Sequence, residues 1–132
     1  MATSLDVEQI LRQQGIQYTF LADGRWRIGY KGYDIILLHD ADGQWLTFVV
    51  PFGAADSLAA ADAQEFLLWL LRANWEVPCG AFAIYQETNE LVFTDQIPTD
   101  DLSESELLAS LNSCALAIDT YGEAVRGRCA RR

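Results

Sequence analysis

Residues 66–85 read FLLWLLRANWEVPCGAFAIY. Six apolar residues run without a break, and a Pro-Cys-Gly turn and a small-aromatic strand follow. A surface helix of a soluble protein shows an apolar stripe and a polar back; this one is apolar on every side of its C-terminal half. Placed on a helix of about 100° per residue, Ala59, Ala63, Phe66, Leu67 and Leu70 share one face, expected to lie on a sheet. Leu68 points away from that face, and Trp69 and Leu71 fall on its flanks. Asp62, Glu65 and Arg72 give some polar relief. Leaving Leu68, Trp69 and Leu71 wet forfeits roughly 1.5–3 kcal/mol of burial each. Either the chain's own C-terminal helix or a second subunit covers them. The contiguous patch Leu68, Trp69, Leu71, Arg72 and Trp75 is the expected dimer or partner interface.

Upstream, TSLDVEQILRQQ (3–14) reads as a short helix, capped by Thr3 or Ser4, with Asp6 and Glu8 in its first turn and Gly15 as its stop. IQYTFL (16–21), RWRIGY (25–30), YDIILLH (33–39) and QWLTFVV (44–50) then read as four strands joined by Asp23-Gly24, Lys31-Gly32 and Asp42-Gly43. Asp-Gly supplies the positive φ angles of tight hairpin turns. Trp26, Ile28 and Tyr30 alternate with Arg25, Arg27 and Gly29, one face dry and one wet, as an antiparallel sheet requires. Pro51 is expected to end this meander. The apolar helix is expected over 58–74, followed by a hairpin of CGAFAIY (79–85) and ELVFT (90–94), with Ile97-Pro98 leaving the sheet. A last helix begins at Ser103, which has capping-box spacing to Glu106. The order α-β-β-β-β-α-β-β-α predicts an α+β fold with helices packed on an antiparallel sheet. One domain over 1–125 and a basic tail over 126–132 is the expected organisation.

Composition narrows the function classes. The chain of 132 residues is 51% apolar, which excludes disorder. Its net charge is −10, and residues 1–125 set five basic groups against 19 acidic ones, leaving −14. Such a body repels nucleic acid and anionic lipid. Four arginines, Arg126, Arg128, Arg131 and Arg132, crowd the C-terminus; a solubilising terminus is the plain expectation and an anion-binding handle the functional one. No apolar run reaches the ~20 residues of a membrane-spanning helix, nothing reads as a secretory signal, and the cytoplasm is the expected compartment.

Chemistry-bearing residues are sparse. Cys79, Cys114 and Cys129 lack CxxC spacing, and His39 is the only histidine, so neither a disulfide framework nor a zinc site is expected. A Cys79–His39–Asp40 triad can be written down, yet free cysteine is mostly a small buried hydrophobe. The carboxylates of Asp40, Asp42, Glu87, Glu90, Asp100, Asp101, Glu104 and Glu106 sit in turns and at a helix start, where they serve local caps. Cofactors and metals are not expected.

A helix ending in LLRAN, a proline-glycine turn, the strand GAFAIY, a polar hairpin, LVFTDQIP and a capped helix reaching Tyr121 together resemble the bacterial YbjN-like family, which shares the type III secretion chaperone-like fold. Leu70, Leu71, Asn74, Gly80, Phe82, Val92, Ile97, Pro98 and Tyr121 are the matching positions. The resemblance implies an acidic, homodimeric, non-enzymatic chaperone-like or regulatory module that receives an extended protein segment in apolar grooves and at an exposed sheet edge. The alternative is a small cone-shaped α+β enzyme or ligand binder with an apolar pocket, in which Tyr30, Tyr33 and Asp34 serve.

Overall fold

The structure is a computed structural model that describes residues 3–40, 42, 44–55, 60–100 and 102–129. The expected start of the apolar helix at Leu58, Ala59 on its sheet-facing side, the carboxylate of Asp101 and the tail arginines Arg131 and Arg132 lie outside the described residues. The elements are α1 (Ser4–Gln13), β1 (Gln17–Ala22), β2 (Arg25–Tyr30), β3 (Tyr33–His39), β4 (Trp45–Ala54), α2 (Ala60–Glu76), β5 (Ala81–Tyr85), β6 (Glu90–Pro98), α3 (Glu104–Ala117), a π-helical turn (Ile118–Gly122) and α4 (Glu123–Cys129).

Six strands form one sheet in the order β1-β2-β3-β4-β6-β5, every neighbouring pair antiparallel. The first four make a meander. β6 inserts between β4 and β5, so β4 and β5 run parallel and α2 is the crossover between them, the connection a parallel pair requires. The fold is therefore α+β, as the alternation of elements predicts.

One face of the sheet is dry. Trp26, Ile28, Ile35, Leu37, Leu46 and Phe48 are fully buried there against Val7 and Leu11 of α1 and Leu107 and Leu111 of α3. Alternation within β2 and β3 puts every second residue on this side, which is why the meander reads so clearly in sequence. The opposite face carries a row set by register, Thr19, Arg27, Ile36, Val49, Thr94 and Ala81. On that face Thr94 Oγ1 donates to the Phe48 carbonyl at 2.9 Å.

Local chemistry sets the helix starts. Thr3 caps α1 in a full capping box: its hydroxyl accepts from the Asp6 amide, and the Asp6 carboxylate accepts from the Thr3 amide at 2.7 Å. That backbone hydrogen bond holds the Asp6 carboxyl below the usual range. Ser103 caps α3 through the Glu106 amide at 3.2 Å, while the Glu106 carboxylate takes the Ser103 hydroxyl.

Three boundaries differ from the sequence expectation. Pro51 does not end β4. The β3–β4 ladder stops at Ile36–Val49, so Pro51 lies where β4 has a strand partner on one side only, and a missing donor is tolerated there. Ile97 and Pro98 do not leave the sheet; they pair with Leu46 and Trp45 and close the long β4–β6 ladder. The last helix is not continuous, because a π turn interrupts it. α4 then carries the chain to Cys129, and Cys129 is buried against Gly53 of the β4 bulge. A Cβ on Gly53 would stand 2.8 Å from the Cys129 Cβ, so only glycine admits α4 that closely.

Candidate functional site: the outer face of α2 and the sheet edges

α2 is held by its inner stripe. Phe66, Leu70 and Ala73 are buried. An aromatic chain ties this stripe to the rest of the molecule: Phe66 stacks on Trp69 at 5.7 Å, and Trp69 meets Tyr121 edge-on at 5.6 Å. Tyr121 meets Phe82 at 5.7 Å, and Phe82 meets Phe93 at 5.2 Å. Tyr121 sits in the π turn, whose extra residue per turn swings it onto α2 and β5. α4 adds two cations: Arg126 lies over Phe52 at 5.5 Å and Arg128 over Phe66 at 5.2 Å. Two of the C-terminal arginines thus brace aromatic rings rather than fray.

The outer stripe is uncovered. Leu68 is 43% exposed, Leu71 65% and Trp75 89%. The chain's own C-terminal helices lie over β4 and β6 and meet α2 through Tyr121 on Trp69 and Arg128 over Phe66, while Leu68, Leu71 and Trp75 stay exposed. Trp69 is split between the two roles, packed on Phe66 and Tyr121 yet 36% exposed. Leu67, expected on the sheet face, is instead exposed on the β5 side, because the buried stripe centres on Phe66, Leu70 and Ala73. Arg72 borders the stripe, exposed to solvent.

Asn74 does what its sequence gives no warning of. Its Oδ1 accepts from the Phe82 amide at 2.6 Å and its Nδ2 donates to the Phe82 carbonyl at 3.3 Å. One side chain thereby satisfies both outward backbone groups of Phe82, as a neighbouring strand would. Gly80 supplies the approach: its φ is +79°, and a Cβ there would stand 2.7 Å from the Thr94 carbonyl. The β5 edge is thus occupied by α2 at Phe82. The other edge, β1, is exposed along its length except for Tyr18, and its Phe20 and Leu21 are 56% and 43% exposed. A groove of 460 Å³ runs beside it, lined by Ile16, Gln17, Tyr18, Thr19, Arg27, Gly29 and Asp34.

Of the residues of the enzymatic alternatives, Tyr30 and Tyr33 are cross-strand neighbours, while Cys79 and His39 are not brought together. Cys79 is exposed at the β5 end and its carbonyl accepts from Ser113 at 2.5 Å. His39 is on β3, three strand spacings or about 14 Å away across the sheet, with Nδ1 3.2 Å from the Ser4 hydroxyl. Tyr30 and Tyr33 strap the β2–β3 hairpin down, through Asn112 and Asp119, whereas Asp34 faces the opposite side of the sheet. The hydrogen bond to Asp119 raises the Tyr33 phenol above its ordinary range. Burial pushes the Cys114 thiol up to about 12, so it is a core residue that stays protonated. Among the described residues no group of three or more potential metal ligands converges, and no helix is long and apolar enough to cross a membrane.

Comparison with known proteins agrees with this geometry. The family model of YbjN, described as a putative bacterial sensory transduction regulator, matches residues 5–127. The chain belongs to the YbjN family. No curated protein matches the sequence. Among solved structures, an uncharacterized protein from Methanothermobacter thermautotrophicus is similar with a TM-score of 0.65 at 14% identity, covering 92% of this chain and 95% of that one. The ExsC–ExsE complex gives a TM-score of 0.66 at 14% identity, covering 99% of this chain and 100% of that one. The Yersinia pestis type III secretion chaperone SycH, solved with a fragment of YscM2, gives 0.59 at 17% identity, covering 86% and 93%. The fold is that of the type III secretion chaperones.

Proposed function

We propose that this member of the YbjN family is a non-enzymatic, cytoplasmic, homodimeric chaperone-like or regulatory module that binds an extended segment of a partner protein. The observation that carries the reading is the apolar stripe Leu68, Leu71 and Trp75, left wet on a helix whose other side is fully anchored. Its burial by a second copy recovers roughly 1.5–3 kcal/mol per large side chain, and Trp69, Arg72 and Trp75 frame the contact. The structural neighbours include proteins solved in complex with a protein partner, which supports binding as the task.

The two sheet edges support β1 as the client's place. Asn74 already occupies the β5 edge at Phe82. β1 offers unpaired backbone beside the exposed rings and methyls of Phe20 and Leu21. An extended segment that adds to β1 gains main-chain hydrogen bonds and lays alternate side chains on Phe20. The acidic surface keeps such an apolar binder soluble.

Affinity capture from the native host tests this with three baits: wild type, Phe20→Asp and Leu68→Asp. A partner held by wild type and lost with Phe20→Asp supports strand capture at β1. A partner retained equally by all three baits refutes both the edge and the dimer as its binding elements.

A further inference from the structure

We propose that the cleft between α2 and α4 is a binding site for a small zwitterion, a free α-amino acid with an apolar side chain. The site takes a small molecule and uses neither the β1 edge nor Leu68, Leu71 and Trp75, so it stands apart from the client reading. Glu65 and Trp69 lie one turn apart on α2, and Ala124 and Arg128 lie one turn apart on α4. The two pairs face each other across a cavity of 210 Å³ whose remaining wall is Phe66. At about 30 Å³ per water that space holds roughly seven waters, enough for one small organic molecule and too little for a stretch of chain.

The cavity is built from fixed parts. Phe66 is buried and stacks on Trp69 at 5.7 Å, and Tyr121 holds Trp69 edge-on at 5.6 Å. Ala124 leaves the gap that a larger side chain would fill. The π turn sets the direction of α4: its extra residue advances the helix by about 100°, and without it Ala124 and Arg128 would turn away from α2. Such turns are frequent at functional sites.

The charges select the ligand. Glu65 and Arg128 are both exposed at the cavity, and Arg128 lies over the Phe66 ring at 5.2 Å rather than on the carboxylate. Among the described residues the recorded ion pair is Arg12–Glu8, so Glu65 and Arg128 share this space without pairing. A ligand with a single charge would partly desolvate the other side chain and give it no partner. A zwitterion answers both. Its carboxylate takes the Arg128 guanidinium, a bidentate match, its ammonium donates to the Glu65 carboxylate, and its side chain lies against Trp69 and Ala124.

L-phenylalanine and L-leucine, titrated into the full chain by calorimetry and nitrogen–proton NMR, test the site. Phenethylamine and hydrocinnamate carry the same ring with one charge each. At least one of the two amino acids is expected to bind saturably with a Kd of about 1 mM or tighter. It should shift the Trp69 indole resonance, identified by its loss in Trp69→Phe. Ala124→Leu fills the cavity without changing a charge, and Glu65→Gln removes the ammonium's partner; each is expected to weaken binding about tenfold or more. Both positions are exposed, and circular dichroism verifies that each variant is folded; Glu65→Gln decides alone if Ala124→Leu is not. The two single-charge probes are expected to bind at least about tenfold more weakly than L-phenylalanine. No saturable binding of either amino acid up to about 10 mM, or an affinity that Glu65→Gln leaves unchanged, overturns the site. Equal affinity for either single-charge probe overturns the zwitterion as its ligand. None of these readouts depends on the dimer or on a protein client, so failure here and failure of those readings are separate results.

Discussion

Removing the Asn74 amide is the sharpest test of how α2 is fixed to the sheet. The Asn74→Ala change deletes a 2.6 Å bond from the Phe82 amide and a 3.3 Å bond to its carbonyl. Nothing in the packing replaces them, since Phe82 itself is buried and its ring is held by Phe52, Phe93 and Tyr121. An unsatisfied buried donor costs about 1–3 kcal/mol. The site is only part-buried and the second bond is long, so the lower half of that range applies to the donor and a fraction more to the carbonyl. The expected loss is about 2 kcal/mol, or roughly 6–10 °C in Tm for a chain of this size. Urea unfolding at fixed protein concentration measures it, because dimerisation makes stability depend on concentration. The freed β5 edge should also raise aggregation. An unfolding free energy within about 0.5 kcal/mol of wild type, with no added aggregation, would mean the amide is incidental and α2 is held by its aromatic contacts alone.

Other outcomes follow from single positions. Gly80→Ala combines a left-handed φ with a 2.7 Å approach to the Thr94 carbonyl, so it should cost at least about 2 kcal/mol in the same unfolding assay. Cys114 releases its proton near its ordinary 9.0 in the unfolded chain and near 12 in the folded one. The unfolded state therefore binds fewer protons in that window, and stability falls as pH rises from about 9 toward 12, by up to about 1.4 kcal/mol per unit; Cys114→Ala should flatten that slope in alkaline unfolding curves. Under native conditions a thiol reagent should modify Cys79 quickly and spare Cys114 and Cys129, which are buried; equal rates would mean the α3 and α4 packing is loose.

The meander was legible because its physics is local. Period-two alternation in RWRIGY and YDIILLH sorts the sheet faces, and Gly32, of the type that positive φ favours, marks the turn in which Lys31 also takes a positive φ. The helix caps at Thr3 and Ser103 were legible for the same reason. What escaped depends on partners far along the chain. Pro51 and Ile97-Pro98 read as strand ends, yet β4 and β6 pair across them. The π turn has no local signature, and its purpose, Tyr121 against Trp69 and Phe82, is tertiary.

The candidate site was half legible. The run FLLWLL announced a helix too apolar for its surroundings, and the patch Leu68, Trp69, Leu71, Arg72 and Trp75 could be named. Whether the chain covers its own patch could not be read from it, because that depends on where α3 and α4 settle. They settle over β4 and β6 and leave the outer stripe wet. Asn74 stood out only as part of the motif LLRAN. An asparagine just before a turn is usually a local cap, so a bond to Phe82 on the next strand gives no sign of itself.

The most direct test of the account is the solution mass of the wild-type protein beside Leu68→Asp, by sedimentation equilibrium. The account predicts a wild type of twice 14.8 kDa and a variant that falls to the monomer or aggregates. A wild type that sediments at 14.8 kDa across accessible concentrations, or a Leu68→Asp variant that keeps the wild-type mass and solubility, would contradict it.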